Sequence, residues 1–286
     1  MQKSREVNMD VGMASRMANV PWWALIIVAA GFFLLYLILS DANYRETFNY
    51  LRAGIAMTLY ITMLAFPIAT VIGLVTGLMR TSKNVVLFTI ATIYVEVIRG
   101  IPLVVLILMV AFALVPMYVD TTKAIGLWGL ARFGPEALNG LFKGMSVYSI
   151  RTISMEIRVV IALAVGYGAF EAEIFRAGIQ SISRGQMEAA RSLGMSYFQA
   201  MRFIILPQAV RRVLPPLGND FIAMLKDSSL ATVLAVNELT QMTRIRRAST
   251  FRVMEAFNVA AFLYLSMTLL LSAAVRLLER KMKIEE

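Results

Sequence analysis

The sequence predicts an all-α, polytopic membrane protein with about six transmembrane helices. Three observations carry this. Hydrophobic residues are 59% of the 286-residue chain and charged residues 16%, against roughly 45–50% and about 25% in soluble domains. Mean hydropathy is +0.70. Apolar runs close to the ~20 residues that a helix needs to cross hydrocarbon recur from end to end.

The first run, Trp22 to Leu39, carries no charge. Ser40-x-Ala42 offers the small residues of a signal-peptidase site. The run nevertheless exceeds the usual ~7–15 apolar residues, and a polar leader, 1–21, precedes it, so an uncleaved anchor at 22–39 is favoured. Gly54–Met79 and Ala256–Val275 are equally clear spans. Ile101–Val119 is another, expected to extend N-terminally past Arg99 and Glu96. Ile157–Ile179 and Phe203–Leu225 are weaker because they include charges. Six is the expected count, with five the nearest alternative. In Gly73-x-x-x-Gly77 the glycines permit close helix approach, although two glycines in an apolar run also arise by chance. The polar stretch 120–156 reads as an ordered or amphipathic extracytoplasmic loop.

An even number of spans leaves both termini on one side. The cluster Arg276, Arg280, Lys281 and Lys283 at a membrane exit puts them in the cytoplasm, making 1–21 and 281–286 cytoplasmic segments. Arg244, Arg246, Arg247 and Arg252 then fall outside and oppose that orientation.

Composition also excludes chemistry. The chain has no His and no Cys, so it carries no Ser-His-Asp triad, thiol nucleophile, disulfide, or His- or Cys-ligated metal. No Gly-Lys dipeptide occurs, hence no P-loop, and Glu171 stands where Gly166-x-Gly168 would need a third glycine. No cofactor, metal or catalytic residue is expected on this chain. Its 28 Lys and Arg exceed its 18 Asp and Glu, for a net charge of +10. That charge suits anionic headgroups. The arginines are scattered over loops on both sides, which argues against nucleic acid.

The segment between the fourth and fifth spans, 185–207, carries the strongest signal. Met187–Leu193 reads as a short amphipathic helix, with Glu188 near its start and Arg191 beyond, as the helix dipole favours. Gly194 is suited to a left-handed cap. Ser196 is a plausible N-cap for a second helix, and Pro207 is expected to interrupt the entry into the fifth span. A helix–Gly–helix knob of this kind suits a groove on a partner; a partnerless surface helix is the plain alternative.

Glu188-Ala189-Ala190, three residues, Gly194, nine residues, then Ile204-x-Leu206-Pro207 resembles the EAA loop of ABC importer permeases. Arg99-Gly100-x-Pro102, Ala172-Glu173-Ile174-Phe175-Arg176, Pro215-Pro216-Leu217-x-Asn219 and Lys226-Asp227-Ser228-Ser229-Leu230 resemble the polar amino acid branch (histidine, glutamate/glutamine, arginine, opine) of that family. The resemblance covers about 50–280. It implies a type I, five-helix permease domain to which 22–39 is an addition. It implies a multi-pass protein of the bacterial inner membrane, not itself an enzyme. The implied partners are a second permease, identical or homologous, ATP-binding-cassette subunits that hold ATP-Mg, and an extracytoplasmic binding protein delivering an amino acid. Glu188, Ala189, Ala190 and Gly194 would couple to the ATPase: Glu188 as a charged contact or intraloop staple, the alanines as a flat packing face, Gly194 as the turn. The loop 120–156 is longer than the family leads one to expect.

Charges at membrane depth cost ~2.5–3.5 kcal/mol each and need partners or water. Glu96 and Arg99 are spaced i, i+3, as are Glu173 and Arg176, so each pair can meet on one helix face. They are structural pairs or a gate. Glu171, Asn219 and Asp220 lack such a partner. They are candidates to line a substrate route, the carboxylates taking an ammonium and Asn219 joining carbonyls freed near Pro215 and Pro216. Interhelical hydrogen bonding is the structural alternative. Two rival functions remain: an ion-gradient-driven transporter or channel without an ATPase, and a non-transporting scaffold, against which the six intramembrane charges weigh.

Overall fold

The computed structural model describes residues 22–133 and 139–282; the expected leader 1–21 and the end of the tail lie outside them. No strand occurs among the described residues. Helix α1 is Trp22–Ser40 and α2 is Ala42–Thr81. Only Asp41 separates them. Its carboxylate accepts from the N–H groups of Asn43 and Tyr44 at 2.7 and 3.1 Å, and so caps α2. At 40 residues α2 is about 60 Å long, twice the hydrocarbon thickness.

Helix α3, Val85–Gly100, is capped by Asn84. The expected continuous extension of the third span through Arg99 does not form. Ile101 is extended (φ −98°, ψ 129°) because proline at 102 drives its predecessor out of helical conformation. Helix α4, Leu103–Met109, then passes through a π turn, Val110–Leu114, into α5, Val115–Phe133. Beyond the expected third span, the described part of 120–156 is largely helical. Helix α6, Asn139–Ser146, folds back on α5, and Gly126 gives it room: a Cβ there would lie 2.7 Å from the Met145 carbonyl carbon.

Helix α7, Met155–Gln180, is the central rod. It packs along α2, and the Gly73-x-x-x-Gly77 spacing is that seam. A Cβ on Gly73 would meet the Glu171 Cβ at 2.7 Å, and one on Gly77 the Phe175 Cβ at 2.8 Å. The main core gathers Ile61, Ala65, Ala69, Leu106, Ile107, Val159, Leu163 and Met224 around α7. Arg158 is buried there without a carboxylate. It donates to the carbonyls of Ala111, Ile150 and Ile153 at 2.9–3.0 Å, tying the end of the 120–156 loop to the π turn.

Helices α8, Arg184–Ser192, and α9, Tyr197–Ala200, follow. A π turn at Met201–Ile205 leads into α10, Leu206–Asp227. Pro207 does not interrupt this entry as expected. The backbone stays helical from α9 through the π turn into α10, and Pro207 follows that turn directly. A 3₁₀ turn, Ser228–Leu234, precedes α11, Leu239–Thr250, and α12, Val253–Met282. Ala42–Thr81, Leu103–Arg132 and Val253–Arg280 are long and apolar enough to cross a membrane; Leu25–Ser40 is a shorter apolar helix. Of the two weaker spans, α7 turns its charges towards other helices, whereas Arg211 and Arg212 of α10 are exposed.

Candidate functional site

The knob spans α8 and α9, and its geometry is fixed by backbone capping. Ser183 caps α8 through the Gly185 N–H at 3.3 Å, so the helix starts three residues before the expected Met187. At its other end Gly194 takes φ +81°. The Gly194 N–H donates to the Arg191 carbonyl at 3.0 Å and the Met195 N–H to the Ala190 carbonyl at 3.2 Å. This is the Schellman arrangement, which a side chain at Gly194 would strain. Ser196 then opens α9 with a reciprocal box: its hydroxyl accepts from the Gln199 N–H at 3.2 Å, and the Gln199 side chain accepts from the Ser196 backbone N–H at 2.8 Å.

The root is apolar: Ile182, Ile205 and Ala209 are buried with Ile179, Met187, Met201 and Ile204 around them. Ala190 is buried against the knob itself, whereas Ala189, Leu206 and Pro207 are exposed. Glu188 is exposed and has no hydrogen-bond or ion-pair partner among the described side chains, which favours the outward contact over the intraloop staple. The free surface carries residues the sequence reading passed over. Leu193 and Phe198 are each 84% exposed and Tyr197 55%. Large exposed side chains grouped on a capped turn make an apolar surface patch. The available signal was their position on either side of Gly194 in an otherwise polar segment.

Behind the knob lies a charged belt. Glu173 on α7 receives Arg176 at 2.6 and 2.9 Å, pairs with Arg80 at the end of α2, and has Arg99 of α3 at 3.7 Å. The expected Glu173–Arg176 pair therefore forms, but as part of a three-helix cluster. The expected Glu96–Arg99 pair does not. Glu96 turns to Arg80 at 3.6 Å, and Arg99 stacks over Phe170 with 5.5 Å to the ring centroid, because both have partners on neighbouring helices. Arg80 is the member missed from sequence. Arg176 also donates to Gln180 at 2.7 Å. Beside the belt, Glu173, Ile174, Ala177, Gly178, Ser181, Arg212 and Pro216 line a cleft of about 500 Å³ between α7 and α10. Arg212 donates to the Ser181 carbonyl across it.

The three substrate-route candidates are not brought together as a set. Glu171 is fully buried, and the Thr70 hydroxyl is the polar group beside its carboxylate. Asp220 is half-buried with one oxygen, Oδ2, enclosed and unpartnered. Asn219 is exposed. Successive helical residues point about 100° apart, so Asn219 and Asp220 cannot both face Glu171. Close by, the Tyr167 hydroxyl donates to Asp227 at 2.8 Å.

A bundle of long apolar helices with charged side chains buried between them defines a class: a polytopic membrane protein. The sequence matches, over residues 69–284, the family described as the inner membrane component of binding-protein-dependent transport systems. The chain belongs to that family. It is 37% identical over 231 residues to the glutamine transport system permease protein GlnP of Escherichia coli (strain K12), covering 81% of this chain and 92% of that protein. It is 32% identical to the nopaline transport system permease protein NocM of Agrobacterium fabrum (strain C58 / ATCC 33970) over 82% of this chain and 88% of that one. The crystal structure of an amino acid ABC transporter with histidines superposes with a TM-score of 0.64 at 37% identity, covering 85% of this chain and 98% of that one. The MetNI methionine ABC transporter, inward facing, shares the fold at a TM-score of 0.60 and 19% identity, over 82% of this chain and 97% of that one. The protein is thus a multi-pass permease subunit of an inner membrane transport system, and the gradient-driven alternative is set aside.

Proposed function

We propose that this chain is a permease subunit of an ABC importer for polar amino acids. ATP-Mg is held by separate ATPase subunits that grip the 185–207 loop. The observation that carries the reading is the knob: an EAA-type sequence folded into a doubly capped turn with exposed Glu188, Leu193, Tyr197 and Phe198. Energy enters by contact, because the chain has no P-loop. A second permease completes the pathway, and an extracytoplasmic binding protein delivers the amino acid. Both termini are cytoplasmic. The 50–280 region is the permease domain and 22–39 an added anchor. Glu171, with Asp220 beside it, receives the cationic part of the substrate when the helices part, since a buried carboxylate without a cationic partner is otherwise costly.

The test uses the assembled transporter in liposomes. Gly194→Asp and Glu188→Lys leave the subunit inserted and abolish substrate-stimulated ATP hydrolysis. Undiminished stimulation in both sinks the coupling role. In the same vesicles Glu171→Ala lowers apparent substrate affinity more than Asn219→Ala. Wild-type transport by Glu171→Ala removes that residue from the route.

A further inference from the structure

The hydrogen bond between Tyr167 and Asp227 joins the two helices that hold the buried carboxylates, and its place in their seam gives it a task. Helix α7 runs towards the knob and α10 runs away from it. Tyr167 and Glu171 stand one turn apart on one face of α7. Asp220 and Asp227 stand two turns apart on one face of α10, a rise of about 10 Å. Tyr167 and Asp227 are therefore the members farther from the knob. Helical side chains lean towards the start of their own helix. That tilts the Tyr167 ring away from Glu171 and brings its hydroxyl to Oδ2 of Asp227 at 2.8 Å.

The seam is thus a ladder with a far rung, closed by Tyr167 and Asp227, and a near rung, where Glu171 has Asp220 beside it. All three carboxylates lie within electrostatic reach of the Tyr167 hydroxyl. Among the described residues no ion pair reaches any of them. The surroundings are apolar: Leu163, Met224, Ala231 and Leu234 share the core with Tyr167.

Asp227 differs from Glu171 in being half-buried. It is the last residue of α10, where the helix gives way to the 3₁₀ turn Ser228–Leu234, and so it stands at the mouth of the seam. Its side-chain donor is a neutral phenol. An ammonium makes the stronger, charge-assisted bond. A cation arriving at the mouth competes for Asp227 and, by taking it, releases Tyr167.

We infer that Asp227 is the entry station for the cationic part of the substrate, and that Tyr167 bolts the route in front of Glu171 until a cation replaces its hydroxyl at Asp227. This role rests on the α7–α10 seam being the substrate route. It adds an order of contacts, Asp227 before Glu171.

The chain has no cysteine, so Asp220→Cys gives it a single thiol that reports on what passes Tyr167. The assembled transporter, in liposomes with the knob inside, meets a cationic trimethylammonium-ethyl or an anionic sulfonatoethyl methanethiosulfonate from outside, and labelling of this chain is followed by mass. The cationic reagent labels the faster. Asp227→Asn cuts the ratio of the two rates about tenfold, and Asp227→Glu retains it. Tyr167→Phe frees the Asp227 carboxylate and raises the cationic rate about fivefold, with the anionic rate unchanged. Equal rises in both rates mean loosened packing and overturn the proposal, so Tyr167→Phe alone decides should Asp227→Asn not assemble. Asp227→Asn and Tyr167→Phe delete the same hydrogen bond. A shift of the cationic rate in one direction by both makes that bond a structural tie and likewise overturns it. A cation preference that Glu171→Gln abolishes and Asp227→Asn leaves intact removes the entry station but keeps the route. A thiol that neither reagent reaches, in resting or cycling transporter, removes the route itself and the role of Glu171 with it.

Discussion

The knob and the belt behind it are built by opposite means. In the knob the backbone does the holding: Ser183, Gly194 and Ser196 each satisfy helix ends within a few residues, and the larger side chains remain outside. In the belt the side chains do the holding, and Arg80, Arg99 and Arg176 converge on one carboxylate from three helices. The difference teaches where each region can change. Substitutions on the knob surface alter what it touches without unfolding it. Substitutions in the belt alter how helices register against each other.

The strongest way to break this comparison is to strip the knob of its anchors. Leu193→Ser with Phe198→Ser removes two side chains that are each 84% exposed and so costs the isolated chain little. Loss of two interface anchors weakens binding by about 2 kcal/mol or more, some thirtyfold. The expected outcome is unchanged thermal unfolding of the permease together with at least about thirtyfold weaker capture of the ATPase subunits, measured by titration in detergent. A fall in unfolding temperature of the permease alone means that the surface is part of the fold.

The belt answers in the reverse sense. Glu173→Gln leaves three arginines facing an amide. The Glu173 side chain is 21% accessible and that of Arg80 11%, so breaking the cluster is expected to cost about 2–3 kcal/mol. Glu96→Gln removes a carboxylate that is 67% accessible at 3.6 Å from Arg80, and such pairs contribute little. Unfolding of the two variants followed by intrinsic fluorescence separates them: a clear drop for Glu173→Gln and almost none for Glu96→Gln. Equal drops indicate that the cluster is not centred on Glu173.

The same contrast governs what could be read from the sequence. The knob was legible because capping is local, so Gly194 and Ser196 declare themselves through their neighbours. The family and the all-α fold were legible for a related reason, since motif spacing and apolar run length need no tertiary knowledge. The belt was half legible. Glu173 and Arg176 share a helix, but the Glu173–Arg80 contact joins residues 93 positions apart, and nothing at Arg80 announces it. The i, i+3 rule offered Arg99 to Glu96, and tertiary neighbours made better offers to both. Pro207 misled because a π turn just before a proline lets the helix run past it, and that turn leaves no mark in the sequence. Asn219 and Asp220 differ in burial because adjacency in sequence is divergence on a helix.

The mildest perturbation sharpens the comparison most. Ser196→Ala deletes the hydroxyl that accepts from the Gln199 N–H at 3.2 Å but leaves the Gln199 side chain accepting from the backbone N–H of residue 196. Half of the reciprocal box survives, so the expected cost is about 1 kcal/mol, confined to the start of α9. Hydrogen exchange at 196–200 is then expected to rise about fivefold while α7 keeps its protection. Substrate-stimulated ATP hydrolysis falls only partially, because the Schellman turn at Gly194 still directs Leu193. Exchange that rises equally in α7 means that the knob and the bundle open as one cooperative unit, and the division between backbone-held and side-chain-held regions then fails.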